Sequence, residues 1–211
     1  MEYSCPNCGA PLTFQSRVSV YTTCTFCRST VVRHDMDLKT LGKVAELLND
    51  MSPFQVGTAG RYKGKGFTLL GRVKVVYDKG MWSEWWAVFD DGTEGWLAEA
   101  QGFYMMSEAI DPGPIKSPDD LSAIGRELPI GDTVFRIDDV KQVRYAGSEG
   151  ELPFIYEPTK KGVSVDLRAP GGKFASILFG MGEPQLFVGH YLKFAEFQFT
   201  NLRVLDGWSA V

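Results

Sequence analysis

Histidine is nearly missing from this chain. Its only two, His34 and His190, leave little material for a histidine-based catalytic site. Long apolar runs are missing too. The longest near-continuous one, Phe174 to Met181, falls far short of the roughly 20 residues that cross a bilayer as a helix, so no membrane span is expected. A basic excess is also lacking: the net charge is -4, which argues against a dedicated DNA binder but leaves room for a local basic patch. No basic stretch followed by an apolar one opens the chain, so a cytoplasmic location is expected. No Ser or Cys has a recognisable activating neighbour, and no pair of acids stands at a spacing that marks acid/base catalysis.

Cysteine is scarce and confined. All four lie within the first 27 of 211 residues, as Cys5-Pro6-Asn7-Cys8 and Cys24-Thr25-Phe26-Cys27. A secreted disulfide scaffold spreads its cysteines through the fold, whereas two tight pairs point to metal ligation in a reducing compartment. Two residues between cysteines let one turn present both sulfurs to one ion, and Gly9 can take the positive φ that such a turn wants. The 15-residue spacer is long enough for a hairpin to bring the second turn to the first. Four thiolates suit one tetrahedral Zn²⁺ and leave no position for water, which makes the site structural rather than hydrolytic. A redox pair of CxxC motifs and a rubredoxin-like iron site are the alternatives. The pattern over residues 1–34 resembles a zinc ribbon.

Beyond the head, residues 35–53 read as one connecting helix. Leu38, Leu41, Val44, Leu47 or Leu48, and Met51 recur at spacings of three and four, Asp35 or Asp37 can cap the start, and Pro53 ends it. From Phe54 the pattern is β. Alternating apolar residues over Phe67–Tyr77, Met81–Phe89 and Thr93–Leu97, with Asp90-Asp91-Gly92 as a hairpin turn, predict a first β half over 54–106. A Pro- and Gly-rich linker over 107–128 follows. A second β half over 129–205 holds strands at 133–137, 140–145, 163–168, 174–179, 186–188 and 192–199, with a long loop at 147–161. Short strands with regular turns suggest a small barrel or sandwich. The expected class is therefore mainly β: a four-cysteine zinc ribbon, one helix and a β body in two halves.

Four of the five tryptophans fall between Trp82 and Trp96. On a strand Trp82, Glu84 and Trp86 share one face, and Trp96 returns across the hairpin with Glu94. These residues either fill a β core or form an aromatic, acid-rimmed face for a cation, an extended peptide or stacked bases. Just before them, Arg61, Lys63, Lys65, Arg72 and Lys74 make a basic stretch that suits an anion. The acids that follow oppose a polyanion, or pair with those bases across neighbouring strands.

The body also carries a resemblance. Phe54-Gln-Val-Gly57, Phe67-Thr-Leu-Leu-Gly71, Trp82-Ser-Glu-Trp85-Trp86, Gly95-Trp96-Leu97, Gly150-Glu-Leu-Pro153, Pro184-Gln-Leu-Phe187-Val-Gly189 and Glu196-Phe-Gln-Phe199 resemble the bacterial family known as domain of unknown function 4178. Phe67 and Ser176 stand where that family's pattern leads one to expect Tyr and Thr. The resemblance implies a β-rich cytoplasmic protein, often with an N-terminal zinc ribbon, near stress and polyamine-related genes. It supplies no catalytic residue. The expected function is a non-enzymatic adaptor with an unidentified protein partner. A polyamine-like ligand at the Trp/Glu face is the alternative, and nucleic acid on the basic stretch a third reading.

Overall fold

Alternation of apolar and polar side chains dominates the chain from residue 59 onward, and it becomes strand after strand in the computed structural model. The structure describes residues 2–34, 37–43, 51–121, 123–158 and 160–205. The head supplies β1 (Glu2–Ser4), β2 (Pro11–Thr13), β3 (Tyr21–Thr23), β4 (Ser29–His34) and β5 (Asp37–Lys43). The body continues with β6 (Ala59–Tyr62), β7 (Lys65–Tyr77), β8 (Gly80–Phe89), β9 (Glu94–Ala100) and β10 (Phe103–Ile110). Its later strands are β11 (Glu127–Ile130), β12 (Thr133–Leu152), β13 (Lys161–Ala169), β14 (Lys173–Phe179) and β15 (Gln185–Leu192).

The expected connecting helix is corrected. Asp37–Lys43 is a strand that pairs antiparallel with β4, through Val32↔Lys39 and Arg33↔Leu38. The spacing of Leu38 and Leu41 is helical only locally, and an adjacent β4 edge offers the backbone a ladder that outweighs propensity. Residues 35–36 and 44–50 of that expectation lie outside the described residues. The expected loop at 147–161 is shortened, because β12 runs unbroken from Thr133 to Leu152. The expected strand at 192–199 is instead a 3-10 turn over Phe194–Phe197.

Pairing in the body returns to its starting point. β7 pairs β8, β8 pairs β9, and β9 pairs β10. β10 crosses to β15, and the ladder continues through β14 and β13 to β12. β12 then pairs β7, with Tyr145↔Val75 and Ser148↔Val73. Eight antiparallel strands thus form a closed circuit, and the expected halves over 54–106 and 129–205 are joined at two places. Closure brings β7 and β12 into very close contact. A Cβ on Gly71 would stand 1.8 Å from the Glu151 carbonyl oxygen, so only glycine fits there.

Apolar side chains pack mainly outside this circuit. Trp85, Leu97 and Met106 lie under Phe54 and Phe197 on one side. Ile137, Val165 and Ile177 lie under Leu121 on the other, with Ile115 and Leu128 of the 107–128 segment packed beside them. At one end Tyr21 and Val32 of the head join Leu70, Trp86, Leu152 and Tyr156 in a third cluster that floors the circuit.

Candidate functional site

The head repeats one turn twice. Each cysteine pair sits between two paired strands, β1 with β2 and β3 with β4. The Cys5 carbonyl accepts from the Gly9 N–H and the Cys24 carbonyl accepts from the Arg28 N–H, both at the same spacing. The Cys5 and Cys24 N–H groups donate to the carbonyls of Ala10 and Ser29. Gly9 and Arg28 occupy the same left-handed conformation, with φ of 75° and 56°. Arg28 therefore adopts at the second turn what glycine supplies at the first.

The four sulfurs all lie within 4.8 Å of one another. Cys5 and Cys27 are 3.7 Å apart and Cys8 and Cys24 are 3.8 Å apart. All four cysteines are free. A tetrahedral ion with metal–sulfur bonds of about 2.3 Å sets its ligands about 3.8 Å from each other, and these spacings fit it. The Ser29 hydroxyl, 3.3 Å from Cys27 Sγ, leads the contacts that draw the Cys27 thiol down to about 5. The Ala10 N–H pulls Cys8 the same way, yet desolvation and the three other sulfurs push it up to about 12. Crowded sulfurs share charge poorly, and a central cation removes that conflict. The four cysteines could hold a metal ion.

A second site lies inside the strand circuit. It is a cavity of about 320 Å³, and every one of the eight strands contributes to its wall. The wall is polar and aromatic. Lys141 Nζ lies 2.6 Å from Asp139 and 3.0 Å from Asp166. The hydroxyls of Ser164 and Ser176 each donate to Asp166 Oδ1 at 3.3 Å. Across from them Glu84 receives the Trp82 indole N–H at 2.9 Å. Glu84 is half-buried and lines the cavity. Burial pushes its carboxyl above the usual range, the Trp82 N–H opposes that, and the negative Asp166 reinforces it. Burial, and then Glu84, likewise raise the Tyr145 phenol.

Of the aromatic face expected from sequence, Trp82, Glu84 and Trp96 stand in the cavity wall. Trp86 is fully buried in the floor cluster, and its indole N–H donates to Glu94 Oε2 at 3.1 Å. The residues of the expected anion patch take several different partners. Arg72 is 2% exposed, with Nε 2.8 Å from Glu149 and its guanidinium 4.6 Å from the Trp85 ring. Lys65 pairs with Asp91 at 2.5 Å, Lys63 with Glu108 at 3.9 Å, and Arg61 donates to the Gly64 carbonyl. Lys74 is half-buried. Arg72 meets its acid across the β7–β12 pair, Lys65 meets Asp91 in the β8–β9 turn, and Lys63 meets Glu108 on β10.

Sequence reasoning missed Asp139, Lys141, Asp166, Ser164 and Ser176. A signal was present: Ser164, Asp166 and Arg168 alternate with Val163, Val165 and Leu167. That pattern reads as a strand with one solvent face, whereas here the polar face is enclosed. His190 is structural in its contacts: Nδ1 lies 3.2 Å from the Tyr62 hydroxyl, and burial, Lys63 and Lys173 hold its imidazole below the usual range.

No curated protein and no solved structure matches the chain. One family does. Residues 55–194, which include all eight strands of the circuit from β7 to β15, match the family described as Domain of unknown function (DUF4178), and the chain belongs to that family.

Proposed function

We propose that the closed circuit is a β-barrel that binds a small organic cation in its interior, the two halves and the 107–128 segment forming one body. The observation that carries this is Glu84, a half-buried carboxylate that lines the cavity beside Trp82 and Trp96. Carboxylate and aromatic faces together recognise an ammonium group. A volume of about 320 Å³ falls at the low end of the roughly 300–1,000 Å³ common to small-molecule sites. Asp166 is held by Lys141 and two serine hydroxyls, which suits orientation of a ligand better than proton transfer.

The head acts in the same scheme as a zinc ribbon holding one structural Zn²⁺ through Cys5, Cys8, Cys24 and Cys27. A head of this size buries too little surface to fold alone, and structural zinc supplies ~10–16 kcal/mol in comparable fingers. Elemental analysis should give one zinc per chain, and iron in its place would replace zinc in this scheme. The adaptor reading draws on Phe26, 72% exposed at the tip of the second turn. Recovery of one protein partner with the wild type but not with Phe26→Ser supports it.

The ligand test is titration of the full chain with small amines, followed by tryptophan emission. Saturable change with at least one amine, lost in Glu84→Gln, is expected. No response to any amine overturns the proposal.

A further inference from the structure

Resting on the barrel reading, we infer that the occupant is a single-headed amphiphilic amine. Its one ammonium lies against Glu84 and its apolar body runs to the mouth at Met81 and Phe103.

One carboxylate of the cavity stands without a cation within ion-pair distance among the described residues. Three carboxylates, Glu84, Asp139 and Asp166, line it with two cations, Lys141 and Arg168. Asp139 and Asp166 already share Lys141, and Arg168 Nε lies 2.9 Å from Asp138. Glu84 receives only the neutral Trp82 indole, so its charge has no cationic counterpart among the described residues. A linear polyamine fits this arrangement poorly. With one ammonium on Glu84, the next would reach Asp139 and Asp166 only by competing with Lys141, which already holds both. A carboxylate head fares worse, because it would face Glu84 directly.

The shape follows from the register. β8 and β10 begin at the same end of the barrel, opposite the floor made with the head. At that end Met81 is 55% exposed and Phe103 is 63% exposed, and both also line the cavity. Phe174 and Tyr191 continue the apolar wall inward, with their rings 5.4 Å apart. An apolar rim on a cavity with a polar interior fits a ligand that is charged inside and apolar toward the opening. Glu84 lies three residues along β8 from Met81, about 10 Å at the rise of a strand. An alkyl body of about six to eight carbons covers that distance.

The test uses the full, metal-loaded chain and four probe series: n-alkylamines from butyl to decyl, the matching alcohols, the matching carboxylates, and spermidine. Affinity is read by calorimetry and tryptophan emission. Each added methylene should tighten amine binding about fourfold, the equivalent of burying one CH₂, and the gain should stop near octylamine. Octylamine should bind more tightly than octanol, octanoate or spermidine. Glu84→Gln should remove the preference for amine over alcohol and keep the dependence on chain length. Met81→Ser with Phe103→Ser should flatten the chain-length dependence and keep the head-group preference. Spermidine binding more tightly than octylamine overturns the single-headed amine and leaves the barrel reading standing. Octanol matching octylamine overturns the ammonium head. Silence from every probe overturns the barrel reading with it.

Discussion

Glu84 sets the energetic character of the cavity. An unpaired carboxylate in a desolvated place costs stability when ionised, so folding favours its protonated form. Its folded value lies above the unfolded one of about 4.3. The stability it lends is therefore complete below that unfolded value and is lost as pH rises through the raised folded value. Glu84→Gln removes this loss. The variant should match the wild type in acid and melt higher at neutral pH by about 2–4 °C, the shift that ~1 kcal/mol gives at this size. Thermal scans across pH check it, and equal melting temperatures throughout would contradict it. Ligand binding has the opposite requirement, since an ammonium needs the ionised form. Amine affinity should climb as pH rises through the same interval. Gly71 carries a prediction of a steric kind. Gly71→Ala forces a methyl against the Glu151 backbone and should cost about 1–3 kcal/mol or more in urea unfolding.

Among the elements, the two cysteine turns were the most legible. Each is a local object: a pair of ligands two residues apart, a left-handed residue after the second, and short flanking strands. Cys8→Ser should unfold the head while β7–β15 stay paired, seen as loss of bound metal and fast amide exchange centred on residues 2–34. Retention of stoichiometric metal with an unchanged head would refute this. The stretch after β4 was less legible, since Leu38 and Leu41 fit a helix stripe or a strand equally until β4 offers its edge. The 15–19 loop was not legible at all. Its acceptor is Glu151, 4% exposed, which takes the Gln15 N–H at 2.7 Å, the Ser16 N–H at 3.2 Å and the Ser19 hydroxyl. More than 130 residues separate these partners, and nothing in either segment names the other. Glu151→Ala should cost about 1–3 kcal/mol, chiefly for the fully buried Ser19 hydroxyl left without an acceptor. Faster exchange at 15–23 with an intact strand circuit would show it.

Across the whole molecule, head and strand circuit share a floor. Tyr21 donates to or accepts from Ser148 at 2.8 Å, the Val20 N–H donates to the Leu152 carbonyl, and Phe154 packs 6.0 Å from Trp96 in the cavity wall. With the proposed zinc in place, stripping it should therefore disturb the cavity at a distance. A chelator is expected to red-shift tryptophan emission and weaken amine binding, and zinc should restore both. Unchanged emission after complete metal removal would separate the two sites.

The sequence by itself determined the ligating turns, the strand periodicity and the resemblance on which family membership rests. These are local properties, written within spans of a few residues. Only the tertiary structure decided which side of each strand faces inward. Alternation in Val163–Arg168 marks two faces and assigns neither. The assignment comes from the pairings of β7 with β12 and of β10 with β15, which join residues far apart in the chain. Once the circuit closes, the outer apolar faces are covered by Phe54, Leu121 and Phe197, and the polar faces enclose the cavity.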